Sequence, residues 1–382
     1  MRIAYVTESF PPDVNGVAVT ATRVAEHLVR RGHHPVVIAP RPARSAPSLD
    51  ESLGYPVVRV PAVGLPLYPG FRVGLPGPQV RAAIATHGAD VVHLAGPVVL
   101  GANGCSAAIA LGLPTVAVYA TDMAAYARTY HLGRAGEAVC WRYLRGVHNA
   151  AGRTLAPSTA TAATLAEHGF ERVRVWGRGV DTGRFDPARR SAGLRARLAP
   201  DGEMIVGYVG RLAAEKRLDL LAEVAELPGV RLVIVGAGPA EAAARRALPG
   251  ALFVGQRQGE VLARIYASLD IFVHAGPHDT FGNTLQEAAA SGLPVVAPAA
   301  GGPLDLVDNG ATGFLVEPGD ARALADAVAV LTGSAELRAA QGAAARLAVL
   351  DRSWPARCDE LIGHYNAVLG HALPGLLAGA AA

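Results

Sequence analysis

The chain has 382 residues, more than a single hydrophobic core of ~250–300 residues usually serves, so two domains are expected. Hydrophobic residues make up 51% and charged residues 18%, with no long run of either sign, which excludes a disordered chain and a nucleic-acid-binding tail. A net charge of +3 is too small to argue for DNA and leaves room only for weak attraction to an anionic membrane.

In chain order, short apolar runs alternate with Ala- and Leu-rich stretches of helical length, the pattern of a parallel sheet with crossover helices. Strands are predicted near Ile3–Val6, Val36–Ile38, Val57–Val60, Val91–Leu94, Thr115–Tyr119, Thr154–Ala156 and Val173–Trp176. A second set follows at Ile205–Val209, Leu232–Val235, Leu252–Val254, Ile271–His274, Val295–Ala297 and Gly313–Val316. Each set suffices for its own doubly wound sheet, so the fold class is α/β. Between them, Gly177–Pro187 is punctuated by glycine and proline and is followed by an arginine-rich stretch to Pro200, which together read as the linker. Three segments are therefore expected: 1–185, 186–350, and 351–382, in which Trp354–Leu369 is a helix returning to the first domain and Ala372–Ala382 a frayed tail.

The first strand is preceded by no charged-then-apolar leader, and no run reaches the ~18–20 apolar residues of a membrane span, so a cytoplasmic protein is expected. Cys105, Cys140 and Cys358 are odd in number, widely spaced and in no metal pattern, which fits reduced thiols and implies no zinc site.

Parallel sheets bind ligands beyond the carboxyl ends of their strands, so the loops after strands carry the information. After the first strand, Asn15-Gly16 precedes a helix running from about Ala18 to Arg31. The bare backbone there suits a diphosphate or a sugar hydroxyl, or is an ordinary turn with Asn as cap. Of the 35 basic residues, Lys216 is the one lysine, in Gly210-Arg211-Leu212-Ala213-Ala214-Glu215-Lys216 after the strand Ile205–Val209. A compact ammonium beside a flat guanidinium fork suits different phosphate oxygens, and the amides of a following helix would add to the site. Gly236-Ala237-Gly238-Pro239 is not a dinucleotide fingerprint, because the sixth position is Glu241 and Pro239 interrupts it; it reads as a tight turn.

The most specific segment is His278–Ala297, in which Asp279 precedes a helix beginning near Asn283 and Glu287 lies in its second turn. Between the two carboxylates, the amides of Gly282, Asn283, Thr284 and Leu285 are the donors that open a helix. That order suits a diphosphate held between two polyols, the shape of a nucleotide-sugar.

The combination Gly210-Arg211-Leu212…Lys216, Asp279-x-Phe281-Gly282-x4-Glu287, Gly292-x-Pro294-Val295 and Asn15-Gly16-Val17 resembles the family-four retaining glycosyltransferases of GT-B fold, over nearly the whole chain. Within the family it is most similar to actinobacterial GDP-mannose-dependent α-mannosyltransferases and sulfolipid-type transferases. The carriers are Thr121-Asp122 with Tyr126, Trp141-Arg142-Tyr143-Leu144-Arg145, and Trp176-Gly177-Arg178-Gly179-Val180-Asp181 with Arg184-Phe185. The resemblance implies two Rossmann-like domains facing a cleft. It implies that Arg211 and Lys216 hold the donor pyrophosphate, Glu287 binds the ribose, Asp279 contacts the transferred sugar and Gly16 lies against the phosphate. Two departures stand out: the family's acidic pair usually begins with Glu where this chain has Asp279, and Ala120 stands where many members have histidine.

No D-x-D occurs in the chain, which removes the usual carboxylate pair for a divalent ion on a sugar-diphosphate, so protein cations must neutralise the leaving group. The expected activity is metal-independent, retaining transfer of a hexose, mannose favoured, with no cofactor beyond the nucleotide-sugar co-substrate. A phosphate oxygen takes the acceptor proton. Leu65–Arg72 and Arg128–Arg145 mix apolar and cationic side chains and are read either as a surface for a lipid headgroup at the inner membrane face or as a pocket for a small soluble acceptor. Three rivals stay open: a nucleotide-sugar epimerase of the same fold, a pyridoxal-dependent phosphorylase using Lys216, and a sugar-nucleotide-binding protein that lost catalysis with Ala120.

Overall fold

The computed structural model describes residues 1–13, 15–43, 50–65, 68–120 and 133–379. The chain forms two compact units, Met1–Arg178 with Pro355–Ala382, and Gly179–Trp354.

The first unit contains β1 (Arg2–Thr7), β2 (His34–Pro40), β3 (Val57–Val60), β4 (Ala62–Leu65), β5 (Tyr68–Gly74), β6 (Val91–Ala95), β7 (Thr115–Val118), β8 (Arg153–Ala156) and β9 (Val173–Val175). Seven of these form one parallel sheet in the order β3-β2-β1-β6-β7-β8-β9. Runs such as Ile3-Ala4-Tyr5-Val6 are fully buried because helices cover both faces, which is why they read as continuous rather than alternating apolar stretches. The helix Gly16–Arg30 begins at Asn15, whose Oδ1 accepts from the amides of Val17 and Ala18, both at 3.0 Å. The helix Trp354–Gly379 completes this unit: Tyr365 is buried with its hydroxyl 2.9 Å from His93 Nδ1, and Trp176 Nε1 donates to Arg357 O at 2.8 Å.

The second unit contains β10 (Met204–Val209), β11 (Val230–Val235), β12 (Leu252–Gly255), β13 (Ile271–Val273), β14 (Val295–Pro298) and β15 (Gly313–Val316), parallel in the order β12-β11-β10-β13-β14-β15. Its two faces carry separate apolar clusters, one around Phe272, Leu285 and Val295, the other around Tyr208, Leu232 and Val328.

Several expectations need correction. The units divide at Arg178/Gly179 and Trp354/Pro355 rather than at 185 and 350, because Gly179–Asp186 is packed rather than loose. Val180 bridges to Ser353, Phe185 is buried, and Asp186 pairs with Arg346 at 2.5 Å. The strands β4 and β5, absent from the predicted set, pair as an antiparallel two-stranded sheet. The tail stays helical to Gly379, as its Ala- and Leu-rich composition favours. After β10 the chain makes 3₁₀ turns at Ala214–Lys216 and Leu218–Leu221 and a single helical turn, so no long helix opens there. Arg217 in the left-handed region, φ +47°, separates the two turns.

Candidate functional site

In the second unit the connections from β10 lead to β11 on one side while its other neighbour is β13, so the carboxyl ends of β10 and β13 flank the topological switch point, where such sheets bind ligands. Arg211 and Lys216 follow β10; Asp279 and the helix Asn283–Ala290 follow β13. The turn at Gly236–Pro239 fixes the first loop from behind, with Leu212 N bonded to Ala237 O at 3.0 Å and Ala240 N to Leu212 O at 2.9 Å. Gly276 lets the second loop lie against the first: a Cβ there would meet Glu215 O and Lys216 Cα at 3.0 Å.

Lys216 Nζ is ion-paired with Asp279 Oδ1, both side chains mostly buried. His274 Nε2 stands 2.9 Å from Asp279 Oδ2, without the alignment of a hydrogen bond. Burial alone would raise the Asp279 pKa, but the Lys216 ammonium and His274 more than offset it and hold the carboxyl well below the usual range. The backbone of Asp279 is fixed as well, its carbonyl accepting from Gly302 N at 2.8 Å. Arg211 Nη2 bonds the buried Glu215 Oε1 at 2.6 Å. Both cations of the expected phosphate site are thus paired with carboxylates.

Gly282 caps the helix Asn283–Ala290 with φ +98°, a left-handed conformation that suits glycine, and no side chain occupies the cap. One expected donor drops out: Leu285 N is 3.0 Å from Gly282 O and is spent in the first turn. Gly282, Asn283 and Thr284 remain as the amides that open the helix. Asn283 Oδ1 is buried with no hydrogen-bond partner among the described residues. On the next turn, Glu287 Oε2 accepts from Tyr266 Oη at 3.0 Å. Burial pushes the Glu287 pKa up to about 7, against the opposing pull of Tyr266 and the Arg184 charge. The Tyr266 ring meets Phe185 edge-on at 5.5 Å.

The second-unit residues singled out in the sequence therefore converge on one crevice; Gly16 stands in the other unit, as the first residue of its helix, with Asn15 serving as cap. Asp122, Tyr126 and His131 lie outside the described residues. Ala120 lines a cavity of about 10 Å³, room for one water molecule, together with Tyr5, Thr20, Trp176 and Arg178. Arg178 is buried there and donates to Thr20 Oγ1 at 2.6 Å. Trp141 and Trp176 are structural: the first stacks on His168 at 3.8 Å, the second is buried. His274 and Glu215 were missed as site residues: His274 is a single polar residue at the end of an apolar strand, and Glu215 stands inside the Gly210–Lys216 segment, where its pairing with Arg211 shows only in the fold.

Comparison with known proteins agrees with this architecture. Residues 14–184 match the family model Glycosyltransferase Family 4 and residues 193–348 the model Glycosyl transferases group 1. The chain is 48% identical to a GDP-mannose-dependent alpha-mannosyltransferase of Mycolicibacterium smegmatis, over 97% of this chain and 98% of that protein. It is 42% identical to a protein of the same description from Corynebacterium glutamicum, over 97% of this chain and 89% of that one. A sucrose-phosphate synthase from Thermosynechococcus elongatus is similar in structure, with a TM-score of 0.76 at 22% identity, over 97% of this chain and 99% of that one. Two Rossmann-like sheets of this kind make up the α/β GT-B fold. The chain belongs to the family-four glycosyltransferases, and it is an enzyme of hexosyl transfer.

Proposed function

We propose that this glycosyltransferase moves a mannosyl group from GDP-mannose to an acceptor hydroxyl, with retention and without a metal ion. The observation that carries the reading is the Lys216–Asp279 pair at the mouth of the helix that bears Glu287, all at one switch point. The guanine nucleotide and the mannose are favoured by relatives of that description that are 42–48% identical along nearly the whole chain.

In this reading the donor's diphosphate takes Lys216 and Arg211 from their carboxylates and adds the amides of Gly282, Asn283 and Thr284. Glu287 accepts the ribose diol, and Asp279 accepts hydroxyls of the transferred sugar. Negative charge builds on the leaving diphosphate as the C1–O bond breaks, and donors fixed in advance stabilise it without reorganisation, a contribution of about 2.7–4 kcal/mol for one such group. The acceptor attacks the oxocarbenium-like centre on the face the diphosphate leaves, and a phosphate oxygen takes its proton. The nucleotide-sugar is the only co-substrate besides the acceptor.

For the acceptor, a lipid headgroup is favoured over a small soluble molecule by the helix Gly133–Ala150. Its outer face carries Val139 and Tyr143 beside Arg142 and Arg145, all exposed, a mixture that suits an anionic interface. Among the described residues no helix is long and apolar enough to cross a membrane, so the contact would be peripheral, at the inner face. Co-sedimentation with anionic but not zwitterionic vesicles is expected; indifference to anionic lipid points to the soluble acceptor.

Thermal shift against GDP-, UDP- and ADP-sugars tests the donor, because a ligand at 100 times its Kd stabilises the folded state by about 2.7 kcal/mol. GDP-mannose is expected to give the largest shift, and transfer to yield an α-mannoside. Stabilisation without transfer to any acceptor would favour the non-catalytic binder, and sugar isomerisation without acceptor the epimerase.

A further inference from the structure

The donor site as described leaves one buried group unused. His274, directly after β13, is 1% exposed, and neither ring nitrogen has a hydrogen bond to any described residue, yet Nε2 lies 2.9 Å from Asp279 Oδ2. The Asp279 carboxylate is therefore flanked on both oxygens, by Lys216 at Oδ1 and by His274 at Oδ2. The proposed donor places a competing demand on Lys216, since the diphosphate takes the same ammonium. Once that ammonium moves to phosphate, the mostly buried Asp279 carboxylate loses its strongest partner, and its charge becomes costly unless another cation stands beside it.

We propose that His274 is a positioning residue that becomes the counter-charge of Asp279 when the donor's diphosphate draws Lys216 away, keeping the carboxylate ionised and aimed at the transferred sugar. This rests on the donor reading above. The titratable and charged groups facing the spot are few. Tyr208 of β10 stacks parallel to the imidazole at 6.3 Å and donates its hydroxyl to Arg211 O at 3.1 Å. Burial pushes that phenol far up, so it brings no charge. Arg211 and Glu215, from the loop after β10, are bonded to each other. Lys216 and Asp279 complete the set, while His278 in the same loop is exposed. While Lys216 sits against Asp279, a second positive charge on the imidazole is opposed; when it leaves, protonation is favoured, so donor binding takes up a proton.

Calorimetric titration of the full chain with GDP-mannose and with GDP, at about pH 7.5 in two buffers of different ionisation enthalpy, counts the protons exchanged. Uptake is expected in the wild type with both ligands, lost in His274→Gln and in Asp279→Asn, and kept in His278→Gln. His274→Gln should also weaken both ligands about tenfold, because the diphosphate common to them draws Lys216 from Asp279. Proton exchange that is equal in wild type and Asp279→Asn overturns the proposal, and that comparison stands even if His274→Gln fails to fold. Unchanged affinity for both GDP and GDP-mannose in a folded His274→Gln also overturns it. A wild type that binds neither ligand instead removes the donor reading, and the inference with it.

Discussion

The two sheets share a topology and differ in what occupies the crevice at the switch point. In the first unit it lies between β1 and β6, and the chain fills it with its own anion. Glu8 Oε1 accepts from Val99 N at 2.8 Å and Gly101 N at 3.0 Å, at the start of the helix Leu100–Ala110. Burial raises the Glu8 pKa, and the surrounding amides pull the other way. In the second unit the corresponding crevice holds Arg211, Lys216 and a helix start with no side-chain cap. One topology thus gives helix-start amides already taken by a carboxylate and helix-start amides with no side-chain cap, beside cations paired with carboxylates. Position in the fold supplies the crevice, but the residues in it decide the charge it accepts.

The largest expected effect falls on the uncapped site. Lys216→Ala should lower transfer by roughly 10²–10³-fold, the loss of one preorganised donor of about 2.7–4 kcal/mol, with an unchanged circular dichroism spectrum. A variant within a few-fold of wild type in a saturating-donor assay would remove Lys216 from the phosphate site and erase the contrast between the units.

The filled site should behave in the opposite way. Glu8→Ala leaves two amides without their acceptor and should cost about 1–3 kcal/mol in urea unfolding, while the Kd for GDP stays within about twofold. It should also create a site: sulfate is expected to raise the melting temperature of Glu8→Ala and not of the wild type. No sulfate response in the variant would mean that the first crevice is closed to anions for reasons other than Glu8.

Glu287 gives a smaller effect with a definite pH dependence. Its folded pKa of about 7 lies above the ordinary value of 4.5, so the folded state binds the extra proton between those values and stability falls as pH rises through that window. Glu287→Gln should match the wild type below pH 4.5 and be the more stable protein above pH 7, by on the order of 1–2 kcal/mol. The same change should weaken GDP-mannose about tenfold, since a ribose diol loses a charged acceptor. A stabilised variant with unchanged donor affinity would separate Glu287 from ribose.

Both sheets were legible because strands buried on both faces are bare apolar runs, and the charged loops after them stand out against that background. The pair β4–β5 was not, since Pro66, Pro69 and Gly70 break the alternation by which an antiparallel strand is recognised. Lys216 and Asp279 were each visible, but their pairing was not: they are 63 residues apart and meet only because β10 and β13 are neighbours. His274 carries no signal of its own, because a lone histidine at the end of an apolar strand has neither period nor motif. Its meaning comes from a carboxylate brought back to it by a loop. The amide of Leu285 was overestimated for a simpler reason: the first turn closes tightly enough to use it.

The units also differ in continuity, and the smallest effect tests that. The first unit needs the helix Trp354–Gly379, which is held to the helix Gly16–Arg30 by Asp359: Oδ1 lies 2.7 Å from His27 Nε2 and 2.9 Å from Arg31 Nε. The hydrogen bond from His27 lowers the Asp359 pKa, slight burial opposes it, and the charges of His27 and Arg31 add to the lowering. A depressed carboxylate contributes stability above its unfolded value of 3.8 and loses it as pH falls through the folded one. Asp359 is 42% exposed, so solvent screening holds the contribution under about 1 kcal/mol. Asp359→Asn should therefore cost a few tenths of a kcal/mol in urea unfolding near neutral pH and nothing in strong acid, and leave GDP affinity as it was, because the donor crevice lies wholly within the continuous unit. A loss of GDP affinity in this variant would mean that the uncapped anion site depends on how the first unit is closed, and the two crevices could no longer be treated as separate.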